Sequence, residues 1–462
     1  MSKTNKKNIN SPILLVVLSF AIIILLGATL LCFPFSNKDR QWGNFLDNLF
    51  SATSATCVTG LNVFEDGIGE KFTFFGELVM LIMIQIGGLG FITILTFLIT
   101  LVRRKIQFKD RLFLAKAVNA NSLGDMIKFV RTIIIISFSV EFIGFLLCLP
   151  AFLSMYKNHV GSAIWASIFH SISSFNNAGF DILGNTSLTK GMGNALLDNM
   201  ENWAFIYLQI VTMILIVLGG LSFLVIIEIF SFKKSPKQYT TFTKIVLSTT
   251  AFLLIVGTVS FILSEGFKSY NKMTLLDALF QSVTCRTAGF AVYNQANLSI
   301  GGRVISCILM FIGGSPLSTA GGIKTTTAFI IGLAMYKYLR GKQVSAYKRT
   351  YSSKMVLKAM SLLLLAFGVL IISYLSIVGF EWNNPLIKDR GEIIFELFSA
   401  FGTVGLSTGI TTSLSIGSKL VICLLMFLGR LGPITMFQLF QKNMDIEEKL
   451  HYSLVEEDFL IG

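Results

Sequence analysis

The chain has 462 residues, 53% of them hydrophobic and only 14% charged, with a mean hydropathy of +0.72 and a formal net charge of +13. Soluble domains carry about a quarter charged residues, so this composition excludes a soluble globular protein, and the recurring apolar runs leave no room for a separate soluble domain. The basic residues fall in alternate connections rather than in one patch, which excludes a nucleic-acid surface and follows the positive-inside pattern of polytopic membrane proteins.

Lys3, Lys6 and Lys7 lie in a cytoplasmic terminus (1–12) before an apolar run at 13–35, which is too long, and lacks the small-residue cleavage site, for a signal peptide. It is the predicted first span of a unit covering 13–101, with a short helix at 43–55, a loop at 56–61 and a second span at 72–101. That second span contains Gln85-Ile86-Gly87-Gly88-Leu89-Gly90-Phe91, whose small residues let helices approach closely. A basic loop (102–125, with Arg103, Arg104, Lys105, Lys109, Arg111 and Lys116) leads to a second unit, 126–231. Its spans are predicted at 126–156 and 203–229 around a loop at 176–180, with a solvated cap at 181–202. His170 reads as a packing group, and three widely separated histidines offer no metal site. The six cysteines show neither metal-ligand nor disulfide spacing and read as small apolar filler.

After a loop at 232–243 carrying Lys233, Lys234 and Lys237, a third unit covers 244–339, with spans at 244–263 and 303–339. The second is interrupted by Gly313-Gly314-Ser315-Pro316-Leu317-Ser318-Thr319-Ala320-Gly321-Gly322-Ile323-Lys324-Thr325-Thr326-Thr327, a density of Gly and Pro no continuous helix tolerates. Broken backbone at membrane depth must be buried in protein. The run is no phosphate-binding loop, because Ile323 separates Gly322 from Lys324. A loop at 340–354, in a basic stretch with Lys337, Arg340, Lys342, Lys348 and Arg349, leads to a fourth unit at 355–441, with spans at 355–378 and 419–441. Arg430 lies inside the last span, where a charge is costly enough to need an aqueous path or a partner. An acidic tail, 442–462, closes the chain and is a candidate docking segment.

Each unit carries one segment of the same design: Phe50 to Leu61, Phe169 to Phe180, Leu279 to Phe290 and Phe395 to Leu406. A half-helix runs into a small or polar stretch, then Gly, then Leu or Phe. The core stretches are Cys57-Val58-Thr59-Gly60, Asn176-Asn177-Ala178-Gly179, Arg286-Thr287-Ala288-Gly289 and Gly402-Thr403-Val404-Gly405. Gly accepts backbone angles closed to other residues, so successive carbonyls can turn to a common axis and replace the hydration shell of a monovalent cation. The half-helices aim their negative ends at the same point. The third segment is one residue shorter from Phe280 to Gly289 than its counterparts, which leaves its register open. The expected fold is an all-α polytopic membrane protein, eight transmembrane helices with four re-entrant pore helices in pseudo-fourfold arrangement.

Ser282 to Phe290, Gly313 to Thr327 and Phe401 to Ser407 resemble the motifs of the Trk/Ktr/HKT superfamily of cation transporters. With one span before the first pore loop, the chain is most similar to the Ktr membrane subunit. The resemblance implies potassium uptake through a filter made of the four core stretches, with no catalytic residues, no enzyme activity and no cofactor in this chain. It implies an intramembrane gate at Gly313 to Lys324, with Arg430 interacting with the gate and its charge opposing ion passage. The implied setting is a bacterial plasma membrane with both termini cytoplasmic, a homodimer, lipid contacts, and a cytoplasmic ring of nucleotide-binding regulatory subunits of the RCK type. Leu317 stands where the family's residue is usually small, and Cys285 where it usually has Pro. The family's sodium-preferring branch tends to carry Ser where this chain has Gly60, so glycine at all four positions favours potassium. The alternatives are a sodium-permeable or non-selective transporter of the same superfamily, and a secondary transporter of an organic solute. The latter would show inverted repeats, whereas these four units share one direction. An intramembrane enzyme would need a nucleophile with its base, or a metal cluster, and the sequence shows neither.

Overall fold

The computed structural model describes residues 12–90, 126–157, 159–184, 187–189, 197, 200–231, 238–266, 273–387 and 389–432. The basic clusters at 3–7, 103–116 and 233–237, the acidic tail, and the far ends of the first and fourth units' second spans lie outside them.

The first unit contains α1 (Pro12–Cys32), α2 (Phe45–Thr56), the short α3 (Ile68–Lys71) and α4 (Phe74–Leu89). The second contains α5 (Met126–Met155), α6 (Val160–Phe175), α7 (Asn202–Gly220) and α8 (Phe223–Phe230). The third contains α9 (Thr241–Glu265), α10 (Leu275–Thr284), α11 (Ile300–Phe311) and α12 (Thr325–Tyr338); the fourth, α13 (Ser353–Phe380), α14 (Arg390–Gly402) and α15 (Ile416–Leu431). Among the described residues four helices, at 128–155, 202–220, 241–265 and 353–380, are long and apolar enough to cross a membrane. Several other helices start at side-chain oxygens that accept otherwise orphaned amide protons. Asn44 caps α2, Thr73 caps α4 and Ser415 caps α15, while Thr274 and Asp277 form a reciprocal capping box on α10.

Two contact patterns generate the architecture. Each unit's first helix packs on its own short helix: α1 on α2, α5 on α6, α9 on α10, α13 on α14. Each unit's second helix packs on the next unit's short helix: α4 on α6, α7 on α10, α11 on α14, and α15 back on α2. The second pattern closes a ring of four. Two ion pairs reinforce its seams, Arg303 with Asp389 at 3.1 Å and Lys419 with Asp47 at 2.8 Å. Large apolar side chains such as Phe50, Phe169, Phe280 and Phe395, one at the same point of each short helix, are fully buried between the layers.

The continuous second span expected in the second unit is corrected: the helix expected at 203–229 stops at Gly220 and resumes at Phe223. Among the described residues α4 and α15 reach Leu89 and Leu431, followed by Gly90 (φ 78°) and Gly432 (φ 82°), and the rest of those two spans lies outside the described residues. Interruption is therefore shared by the second and third units. Near these helix ends Gly87, Gly219 and Gly429 lie so close to the carbonyls of Thr56, Phe175 and Phe401, at the ends of the short helices, that a Cβ on any of them would overlap the oxygen. The all-helical expectation needs one small amendment, an antiparallel pair of β1 (Ser345–Ala346) and β2 (Arg349–Thr350). Its turn places Tyr347 and Lys348 at φ 50° and 61°, the mirror-image turn that suits tight hairpins.

Candidate functional site

The four core stretches share one backbone path. Val58, Asn177, Thr287 and Thr403 adopt φ of 57°, 58°, 76° and 49°, and two residues later Gly60, Gly179, Gly289 and Gly405 adopt 98°, 68°, 82° and 95°. Between them an amide folds back onto the helix: Thr59 N to Ser54 O, Ala178 N to Ser173 O and Val404 N to Ser399 O, each 2.8 Å. In the third loop Ala288 N reaches Thr284 O at 3.0 Å, four residues back rather than five. The missing residue is thus absorbed in the turn, and Gly289 keeps register with its counterparts.

These glycines form a closed circuit. A Cβ on Gly60 would lie 2.6 Å from the Ala178 carbonyl oxygen, and one on Gly179 2.5 Å from that of Ala288. On Gly289 and Gly405 it would fall still closer to the oxygens of Val404 and Thr59. Four peptide oxygens and four glycines therefore crowd one axis, with the C-terminal ends of α2, α6, α10 and α14 turned toward it. Buried hydroxyls of Thr59 and Thr403 have no protein partner. Oxygen-rich, fixed in place and without a positive side chain in the ring, this arrangement suits a dehydrated monovalent cation. The first residue of each stretch lies outside the ring proper: Cys57 and Asn176 close their helices, and Gly402 is the last residue of α14. Arg286 turns its guanidinium away, donating to the Gly313 carbonyl at 3.3 Å and the Thr250 carbonyl at 3.4 Å. Its side chain thus braces the broken helix of the third unit.

On the side of the residues that follow the glycines lies a cavity of about 480 Å³, lined by all four glycines and by Glu65 and Asp181. Burial pushes the Asp181 carboxyl up to about 6, against the opposing pull of bonds from Ser187 and the Leu183 amide.

On the other side lies the segment between α11 and α12. Ser315 N and Thr319 N bond to Gly220 O (3.1 Å) and Gly219 O (3.3 Å) of the second unit, and Phe223 N, opening α8, bonds to Leu317 O at 3.0 Å. Gly321 abuts the Thr403 side chain and Gly322 approaches Gly402, both of the fourth unit. Lys324 Nζ folds back onto Ala320 O at 2.7 Å, and Ser318 Oγ onto Ser315 O at 2.7 Å. Thr325 N ties the start of α12 to Gly314 O. From α15, Arg430 donates to Thr319 O and to Gly87 O in short bonds, and to Gly88 O at 3.1 Å. One loop of the third unit is therefore fastened to the second and fourth directly, and to the first through Arg430. A segment tied to every quarter of a ring must cross its axis.

Both departures from the family pattern have a local account. Cys285 N donates to Gln281 O at 3.0 Å, a bond that proline could not make. Leu317 holds φ 55° with its side chain 39% exposed, so it takes on left-handed strain without much burial in return. Leu317→Gly should remove about 1–2 kcal/mol of strain against about 0.4–1 kcal/mol of added unfolded-chain entropy. A small rise in the thermal midpoint of the purified protein is expected; a fall would show that the Leu317 side chain contributes packing.

Sequence reasoning missed the side-chain role of Arg286 and the carboxylate of Glu141, although a lone acidic residue inside the apolar run 126–156 is a signal of the same kind as Arg430.

Residues 3–452 match the model of the TrkH family, described as cation transport protein. Over 469 residues the chain is 36% identical to the potassium/sodium uptake protein NtpJ of Enterococcus hirae, covering 100% of this chain and 99% of that protein. It is 33% identical to the Ktr system potassium uptake protein B of Bacillus subtilis, covering 94% of each. The crystal structure of the potassium transporter TrkH from Vibrio parahaemolyticus superposes with a TM-score of 0.70 over 95% of this chain and 86% of that one, at 18% identity, which shows a shared fold.

Proposed function

The chain belongs to the TrkH family of cation transport proteins, and on that premise we propose that it is the ion-translocating subunit of a Ktr-type potassium uptake system. The observation that carries this reading is the closed circuit of Gly60, Gly179, Gly289 and Gly405 with the carbonyls of Thr59, Ala178, Ala288 and Val404. Potassium is the cargo. It sheds water against those oxygens, and the loop from Gly313 to Lys324 with Arg430 is the barrier beneath. The positive-inside pattern sets the lysine-rich connections in the cytoplasm, so the 480 Å³ cavity faces outward as a vestibule. Relatives named as parts of a Ktr system support a cooperating partner; we take it to be a nucleotide-binding cytoplasmic ring on a homodimer of this chain.

Rubidium uptake into liposomes containing the purified chain, with and without a sodium gradient, tests the reading; no uptake in either condition would refute it. A second reading, permeation of sodium along with potassium, is favoured by the likeness to a protein named for uptake of both ions. Sodium competing with rubidium at equal concentration would select it.

The vestibule gives a pH dependence. Asp181, with its carboxyl near 6, is charged above that pH and neutral below it. A negative vestibule concentrates cations, so the KM for rubidium should be roughly two- to threefold higher at outer pH 5 than at pH 7.5. Asp181→Asn should hold the higher value at both; a variant that keeps the wild-type dependence would assign it to another group.

A further inference from the structure

We infer that Glu141 is a positioning residue for cation discrimination, holding the second filter loop in place through Asn176 and Gln85. Glu141 lies at the middle of α5, is 4% exposed, and is the sole acidic residue of that helix. Its Oε1 accepts from Asn176 Nδ2 at 3.0 Å and from Gln85 Nε2 at 2.9 Å, and Oε2 accepts from the same Gln85 nitrogen at 3.2 Å. Asn176 Nδ2 also donates to Gln85 Oε1 at 3.1 Å and to Ile172 O at 2.9 Å. The Glu141 backbone carbonyl is itself pinned by Ser171 Oγ at 2.6 Å. Three elements of two units, α4, α5 and α6, meet at one carboxylate.

What makes the network more than packing is where it ends. Asn176 closes α6, and the next three residues are Asn177, with its left-handed φ, then Ala178 and Gly179 of the ring. A tilt at Asn176 must pass into the Ala178 carbonyl. The equivalent residue of the third loop, Arg286, is likewise anchored by its side chain, whereas Cys57 and Gly402 have no such tether. Two of the four loops therefore have their entry fixed from behind.

The carboxyl's partners among the described residues are neutral amides, and Glu141 lines a pocket of about 270 Å³ whose other walls are Phe138, Phe142, Phe145, Ile168 and Ile172. An apolar pocket offers no replacement acceptor if the carboxylate is lost. An ionisable group inside a span is costly to keep, which argues for function over filler.

The inference rests on the filter reading above, and the test separates the two. Rubidium uptake and its competition by sodium are measured in liposomes containing the full chain, together with the thermal midpoint. Glu141→Ala should lower the preference for rubidium over sodium by about fivefold or more, by loosening carbonyls that set discrimination. Gln85→Leu should shift it the same way by less, and Glu141→Gln, whose amide oxygen can take the Oε1 position, should recover most of it. A midpoint that falls while the preference stays at the wild-type value would overturn the inference, leaving the carboxylate a merely structural part. Should Glu141→Ala fail to fold, Gln85→Leu decides in the same terms. A wild-type protein that takes up no rubidium would overturn the filter reading, and this inference with it.

Discussion

Gly289→Ser is expected to weaken the preference for rubidium over sodium by roughly tenfold while leaving the protein folded. Two penalties act together at this position. The backbone holds φ 82°, a conformation costing an L-residue about 1–2 kcal/mol. The new Cβ would also overlap the Val404 carbonyl oxygen and come within 3.2 Å of Gly179 Cα and 3.3 Å of Gly405 Cα. All three are main-chain atoms, so no side chain can swing aside and the ring itself must open. Displacing one of four carbonyls removes contacts that matter more for one ion size than another, and a loss of roughly tenfold in preference corresponds to about 1.4 kcal/mol. The same change at Gly60 should be milder, since its nearest neighbour, the Ala178 oxygen, is 2.6 Å from the added atom. Uptake of rubidium in competition with sodium measures both variants. Equal preference in Gly289→Ser and wild type would remove the ring from the account of selectivity.

Much of this was legible beforehand because a fourfold repeat over-determines itself. Apolar runs, alternating basic connections and four glycine-ended segments each pointed to the same units, and the family relationship agrees. What composition and periodicity could not reveal was contact between units. The small residues from Gly87 to Gly90 were readable as close packing, yet that Gly87 lies against the Thr56 carbonyl, and that the second unit's helix breaks at Leu221 and Ser222, are facts of tertiary structure. Arg286 could be placed in the third loop by alignment of the repeats, but only geometry shows its side chain leaving that loop for Gly313. Helix ends shifted by a few residues for a local reason: capping by Asn44, Ser299 and Ser415 starts helices where a hydropathy boundary does not.

Arg430→Gln should raise rubidium flux by about tenfold, and the argument turns on what the guanidinium holds. It donates to Thr319 O of the crossing loop and, from the same side chain, to Gly87 O and Gly88 O in the last turn of α4. Those carbonyls lie at a helix C-terminus, where the macrodipole favours a cation, and Gly87 O also accepts from Gly90 N at 3.2 Å. The loop's fastening to the second unit, by contrast, is by neutral hydrogen bonds to Gly219 and Gly220, each worth about 0.5–1.5 kcal/mol, against about 1.5–3 kcal/mol for one made by a charged donor. Losing the charged tether should shift a closed loop toward open by a factor of roughly ten to a hundred, since 1.4 kcal/mol is tenfold. Removing a positive charge from beneath the ring acts in the same direction on a cation. Deleting Ser315 to Thr319 takes out the other partner of the same contact and should also raise flux. If Arg430 acts through Thr319, the deletion combined with Arg430→Gln should give little more than the deletion alone. Fully multiplicative effects would instead show the arginine repelling ions on its own account, and a folded deletion variant that conducts no better than wild type would show that the barrier lies elsewhere.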